Sequence, residues 1–282
     1  MNPVTRSDDD SDILEGLPST THTYHWKGSQ HFNNVIDQEY KWFQGDQTGE
    51  YSEWVAFTGL NATTFARRFT DCSDLSKSWK SYSPSQQTLL VKMPLPVHGH
   101  AHQKFLHRIL SSLNNDYLVD RLQYYPNVKV EGQTKAKMPD NGLGPFERPS
   151  KGSNKWPTVV IEIGVSECLP KLQSDAEWWI NNSNGDVKIV LTMSINRKTP
   201  KITIMKWEWA ADKSKCSAMQ TITIWKEQAG NANTTRMSGA PLSIEFNKLF
   251  LREPVSPTEH DIRMDENDLR NLARSIWRVQ EF

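Results

Sequence analysis

The sequence predicts a mixed α/β fold, and three observations carry that prediction. Residues 157–165, PTVVIEIGV, form a β-branched run bounded by proline and glycine. Such a run suits a central strand covered on both faces. Segments with apolar residues at helical spacing lie before and after it. Two later segments, 201–210 and 219–227, alternate with period two, as antiparallel strands with one more exposed face do.

Taken in order, residues 1–20 are rich in Asp, Ser and Thr and read as a disordered tail. Residues 21–85 scatter Trp26, Phe32, Tyr40, Trp42, Trp54, Phe57 and Trp79 among polar residues. They read as an irregular N-terminal extension packing on the main domain, with a short strand near 51–59. Residues 87–96 suit a short extended segment ending at prolines. In 100–115 the apolar residues Phe105, Leu106, Ile109, Leu110 and Leu113 predict an amphipathic helix. Residues 117–132 suit one or two strands. After the central strand, residues 169–183 predict a helix with Pro170 in its first turn. Its buried stripe would be Leu169, Leu172, Ala176, Trp179 and Ile180. A Gly185-Asp186 turn introduces another strand, ending near Ile195. Residues 265–279 predict a final helix with Asp265 as N-cap and Asp268 at the positive end of the dipole. One mixed α/β domain over 86–282 is the economical division.

Bulk properties exclude several classes of function. Lys+Arg and Asp+Glu are 33 each, so a strongly basic footprint for nucleic acid is absent. A local patch remains at 129–155, where Lys129, Lys135, Lys137, Arg148, Lys151 and Lys155 face Glu131, Asp140 and Glu147. A solvated lysine-rich loop is the plainer account of it. The three cysteines, Cys72, Cys168 and Cys216, are widely spaced and fit a reducing compartment. No apolar run reaches the length of a membrane span, and the N-terminus lacks the apolar stretch of a secretory signal. A protein inside the cell, cytoplasmic or nuclear and without a membrane partner, is expected.

Glu162 interrupts the apolar central strand. Burying an unpaired carboxylate costs several kcal/mol, so a cation, a metal ion or an escape to solvent must compensate it. One account pairs it with Lys171 or with a backbone donor at the strand's end. Another pairs it with the acid of Pro139-Asp140 on an adjoining strand. Two carboxylates and water form a hard, oxygen-rich site suited to Mg²⁺ or Mn²⁺. A lysine from the next helix would then orient an attacking water.

The order of helix, strands, Pro139-Asp140, Glu162-bearing strand, helix and strand resembles the PD-(D/E)XK nuclease superfamily, the restriction-endonuclease-like fold. More narrowly, KMPD at 137–140, PTVVIEIGVSE at 157–167 and VKIVLTMSI at 187–195 are similar to uncharacterised PD-(D/E)XK-like proteins of fungi. The resemblance runs from about residue 90 to the C-terminal helix. It implies an αβββαβ core, here with added antiparallel strands and a C-terminal helix, and Mg²⁺-dependent (or Mn²⁺-dependent) phosphodiester hydrolysis. DNA, ahead of RNA, would be the substrate, and a homodimer is compatible with it. Asp140 and Glu162 would take the two metal-ligating carboxylate positions, and the Ile163 carbonyl would be a further ligand. The family's lysine position, two residues after Glu162, holds Gly164. Some branches carry that lysine on the following helix, which assigns the role to Lys171. The competing account of Lys171 is an i,i+4 pair with Asp175.

Auxiliary candidates are fewer. The family's acid on the first core helix has no counterpart in residues 98–107, where Gln103 or His102 would substitute. The even-spaced histidines of HGHAH also fit a zinc or nickel site, though without further ligands. Glu167 is either a favourable charge at the helix N-terminus or a contact to substrate or metal. Lys135, Lys137 and Lys155 are the candidate nucleic-acid contacts. Trp178, Trp179, Trp207 and Trp209 either stack bases or, as we read most of them, fill the core. A catalytically inactive descendant, serving as a nucleic-acid-binding or protein-interaction module, is the alternative reading.

Overall fold

In the computed structural model, residues 13–46, 48–70, 75, 79–93, 95–113, 116–148, 156–165, 169–210, 212, 215–229 and 232–282 are described. The expectation of a tail falls largely on residues 1–12, outside the described residues. In chain order the elements are β1 (His22–His25), α1 (Ser29–Gly45), β2 (Trp54–Thr58), α2 (Ala62–Phe65), β3 (Trp79–Ser83) and β4 (Thr88–Lys92). There follow α3 (Pro96–Ser111), α4 (Asp116–Val119), β5 (Leu122–Tyr124), β6 (Val130–Glu131), β7 (Ala136–Lys137), β8 (Asn141–Pro145) and β9 (Val159–Val165). The chain continues through α5 (Leu169–Asn182), β10 (Ile189–Ile195), β11 (Lys201–Trp209), β12 (Cys216–Ala229) and β13 (Ala232–Ser238). It ends with β14 (Leu242–Ile244), α6 (Phe246–Phe250), β15 (Ile262–Met264) and α7 (Glu266–Val279). The mixed α/β class is as the sequence predicts.

The chain divides into two units. The first takes residues up to Asp46, Tyr51–Met93 and Lys129–Met138. Its sheet has the order β1-β2-β4-β3-β7-β6, with β1 parallel to β2 and antiparallel pairing from β2 onward. The described residues within 21–85 therefore carry β1 to β3 and two helices, where the sequence suggests an irregular extension. The aromatics that looked scattered meet in space: Phe32 and Phe57 rings are 4.8 Å apart, and Phe65 stacks on Tyr82 at 3.8 Å. In α1 the buried residues are Phe32, Val35, Glu39 and Phe43, a helical stripe interrupted by one acid. That acid hides the period from a reading of apolar residues alone. Gly28, just before α1, sits at φ 105, a backbone conformation open to glycine at little cost.

The second unit includes Pro94–Val128 and Pro139–Phe282. Its elements α3, β5, β8, β9, α5 and β10 follow the αβββαβ order, and β11, β12, β13 and α7 are added to it. The sheet order is β13-β12-β11-β10-β9-β8-β5. Only β9 and β10 pair in parallel; β5, β8 and β9 alternate, as do β10 to β13. All seven residues of β9 are buried, as a central strand requires. Helix α5 packs against β9 and β10, and α3 packs against β9 and α7. Leu169, expected in the α5 stripe, is 46% exposed; it is the helix's first residue and lies before the packed turns. Helix α7 begins as predicted, with Asp265 and Asp268 forming a reciprocal capping box.

Candidate active site

Strand pairing brings the two predicted acids together. In the antiparallel β8/β9 ladder Asn141 faces Ile161, so one step further Asp140 stands across from Glu162. Asp140 and Glu162 are 4% and 5% exposed. The Asp140 backbone N–H donates to Glu162 Oε2 at 3.4 Å, and the Ile163 N–H donates to Asp140 Oδ2 at 2.8 Å. Each carboxylate is thus fixed by the main chain beside the other.

Two side chains from helices complete the fixing. His98, in the first turn of α3, places Nε2 2.9 Å from Asp140 Oδ2. Trp179, fully buried in α5, donates its indole N–H to Glu162 Oε1 at 2.7 Å. An indole thus holds this oxygen of Glu162. Hydrogen bonds that orient carboxylates in this way are a usual support for cation ligands. Neither His98 nor Trp179 was singled out for this role by sequence. His98 lies 42 residues from Asp140, and the only signal is its place one helical turn before His102.

The HGHAH histidines do not gather. Asn141 Oδ1 accepts the Gly142 N–H at 2.7 Å, so its Nδ2 is the atom that donates to His102 Nε2 at 2.9 Å. His102 Nε2 is then the acceptor nitrogen. His100 instead meets Ser275 Oγ of α7 at 2.7 Å. A helix turns about 100° per residue, so positions two apart point away from each other while positions four apart share a face. Among the described residues, no group of three or more His, Cys, Asp and Glu side chains is arranged to hold a metal ion. The zinc or nickel reading of this motif fails on that geometry.

Lys171 is buried, and its ammonium donates to Asp175 within α5; the two side chains are 4% and 6% exposed. This is the i,i+4 pair that the spacing allowed, but inside the protein and not on its surface. Lys171, Asp175 and Trp179 follow one another at helical spacing among the buried residues of α5. Gln103 is exposed. Glu167 and Lys155 lie outside the described residues. Lys135 and Lys137 are 7% and 2% exposed in the first unit, so they are not surface lysines. The Trp178 and Trp179 rings meet edge to face at 4.9 Å beside Trp156, and Trp207 is buried with its N–H on Thr192 Oγ1 at 2.9 Å. All four of these tryptophans are core.

Gly142 holds the site's backbone close. A Cβ there would lie 2.7 Å from Pro157 Cβ, at the entry to β9. Only a residue without a side chain lets β8 approach the chain that leads into the Glu162 strand.

No protein-family model and no curated protein matches this sequence. Among solved structures the chain is similar to a DUF820 protein from Anabaena variabilis ATCC 29413, described as a candidate nuclease. That likeness has a TM-score of 0.36 and 12% identity, and covers 69% of this chain and 90% of the other. It is too distant to carry an argument about this chain.

Proposed function

We propose that the second unit is a metal-dependent phosphodiester hydrolase acting on nucleic acid, DNA ahead of RNA. The observation that carries the reading is the convergence of Asp140 and Glu162 at one point of the β8/β9 pair. Two buried carboxylates repel each other, and a divalent cation between them relieves the repulsion. The donor set fits Mg²⁺ or Mn²⁺: two carboxylates, with the Ile163 carbonyl as a further hard oxygen and water for the remainder. Soft-metal ligands are not part of it.

When bound, such a cation acidifies a water and offsets charge on a phosphoryl oxygen. The chain's own residues do the rest. Trp179 keeps Glu162 Oε1 turned inward, leaving Oε2 on the Asp140 side. His98 and the Ile163 N–H keep Asp140 from rotating away. Lys171, held within α5 beside Asp175, would orient the attacking water.

The test is cleavage of plasmid and single-stranded substrates in Mg²⁺ or Mn²⁺. Asp140→Ala and Glu162→Ala should each lower the rate by about a hundredfold or more. Cleavage unchanged in both variants would remove the reading. The engagement of Lys171 by Asp175, together with Gly164 at the family's lysine position, favours the second reading, an inactive descendant that binds without turnover. Retained metal and nucleic-acid binding with no cleavage would decide for it.

A further inference from the structure

A separate cluster lies wholly in the first unit, where β1, the end of α1 and Tyr51 come together. Glu39 is 1% exposed, and its carboxylate would be costly there without donors. It has three: His22 Nδ1 lies 2.9 Å from Oε1, the Tyr24 hydroxyl donates to Oε1, and the Tyr51 hydroxyl donates to Oε2 at 2.9 Å. Burial, and then the hydrogen bond to Glu39, push both phenols well above their ordinary value, so they remain donors.

In front of this carboxylate three rings form a corner. His22 meets Tyr51 at 5.4 Å and 87°, and Trp42 at 6.1 Å and 88°; Trp42 and Tyr51 are 6.4 Å apart at 55°. Trp42 is 47% exposed. The corner borders a shallow, open hollow of the surface, about 520 Å³, lined by His22, Lys41, Trp42, Gly45, Asp46 and Tyr51. Gly45 and Asp46 mark the C-terminal end of α1, whose last turn carries no basic residue. The negative pole of the helix therefore adds to the charge of Asp46 and of Glu39 behind the rings. Lys41 is the opposing charge, and its side chain is exposed.

We propose that this corner is an aromatic cage for a quaternary ammonium group. A cation is drawn to ring faces within about 6 Å of their centroids, and a group seated on the exposed Trp42 ring has the Tyr51 and His22 rings as its neighbouring walls. Aromatic walls, unlike carbonyl or carboxylate oxygens, replace no hydrogen bond of a plain ammonium. A trimethylated nitrogen has none to lose, so it is the preferred form. The two carboxylates and the helix pole supply the long-range attraction, and an anion is disfavoured by the same charges.

Calorimetric titration of the full chain tests this, with phosphocholine and free trimethyl-lysine as probes. Lysine and the uncharged isostere 3,3-dimethylbutanol serve as comparators. At least one trimethylammonium probe should bind saturably, about tenfold or more tighter than either comparator. Which of the two binds better identifies the source of the group. Trp42→Ala should lower that affinity about tenfold. Gly45→Leu should do the same by covering the hollow beside the rings, because an added Cβ at Gly45 meets nothing within 4 Å and the fold should tolerate it. Both variants should keep the parent's melting profile. Absence of saturable binding, equal binding of the uncharged isostere, or unchanged affinity in Gly45→Leu would overturn the proposal.

Discussion

At the scale of single residues, the site depends on which atoms hold each carboxylate. Trp179→Phe keeps the ring in the core but leaves Glu162 Oε1 without the indole donor. We expect a loss of about 1–3 kcal/mol in urea unfolding, from the buried oxygen left short of a donor. Manganese affinity should fall about 10–100-fold, because the ligand is no longer oriented. Equal affinity in parent and variant would mean that the indole serves packing alone. Lys171 poses a sharper question. Lys171→Met takes an ammonium away from the buried Asp175 and should cost about 3–5 kcal/mol, whereas removing both members in Lys171→Met with Asp175→Leu should cost less than that. If the folded double variant cleaves like the parent, Lys171 has no part in the chemistry; a rate lowered by orders of magnitude assigns it one. Glu162 was legible in the sequence because a charge inside a β-branched run is anomalous. His98 and Trp179 were not, since a histidine near a helix start and a tryptophan on an apolar stripe are ordinary until the fold brings them to the acids.

Elements were legible where their period was unbroken. Strand β9, helix α5, strands β10 to β12 and helix α7 fall where the apolar spacing predicts them. Helix α7 also shows its cap in sequence, and Asp265→Ala should remove about 1 kcal/mol, seen as a melting-point drop of about 2–4 °C. A variant melting with the parent would mean the cap is replaced by water. Helix α3 begins at Pro96, earlier than its apolar residues suggest, because proline suits a first turn whose N–H has no helical partner. That extra turn is the one carrying His98. After α6 the chain is tied by Arg252, whose guanidinium takes both Glu259 oxygens, one at 2.5 and one at 2.7 Å. Arg252 holds the Glu259 carboxyl down at about 2, below the roughly 4.3 of an unfolded chain. A lowered folded value means that the bridge contributes fully above about pH 4.3 and loses its contribution as pH falls toward 2. Urea midpoints from pH 6 to pH 2 should therefore drop less steeply in Arg252→Met than in the parent. Parallel profiles would contradict this.

At the scale of the whole molecule, the sequence suggested one domain from residue 86 with an irregular extension before it. The chain instead builds two units, and β4, β6 and β7 belong to the first although two of them lie beyond residue 128. A two-residue strand such as β6 or β7 has no readable period, and strand partners distant in sequence leave no local trace. The aromatic core of the first unit is likewise made of residues that meet only after folding. The functional reading needs less than this. It needs β8 and β9 in the register that sets Asp140 across from Glu162, a register fixed by burial of the whole of β9 and by the close passage of Gly142 past Pro157. Among the described residues no helix is long and apolar enough to cross a membrane.

Manganese titration followed by calorimetry tests the central claim most directly, comparing the parent with Asp140→Asn and Glu162→Gln. The account predicts saturable uptake by the parent at a single site, lost or weakened at least about tenfold in each variant while both stay folded. No uptake by the parent, or uptake that neither substitution changes, would contradict it.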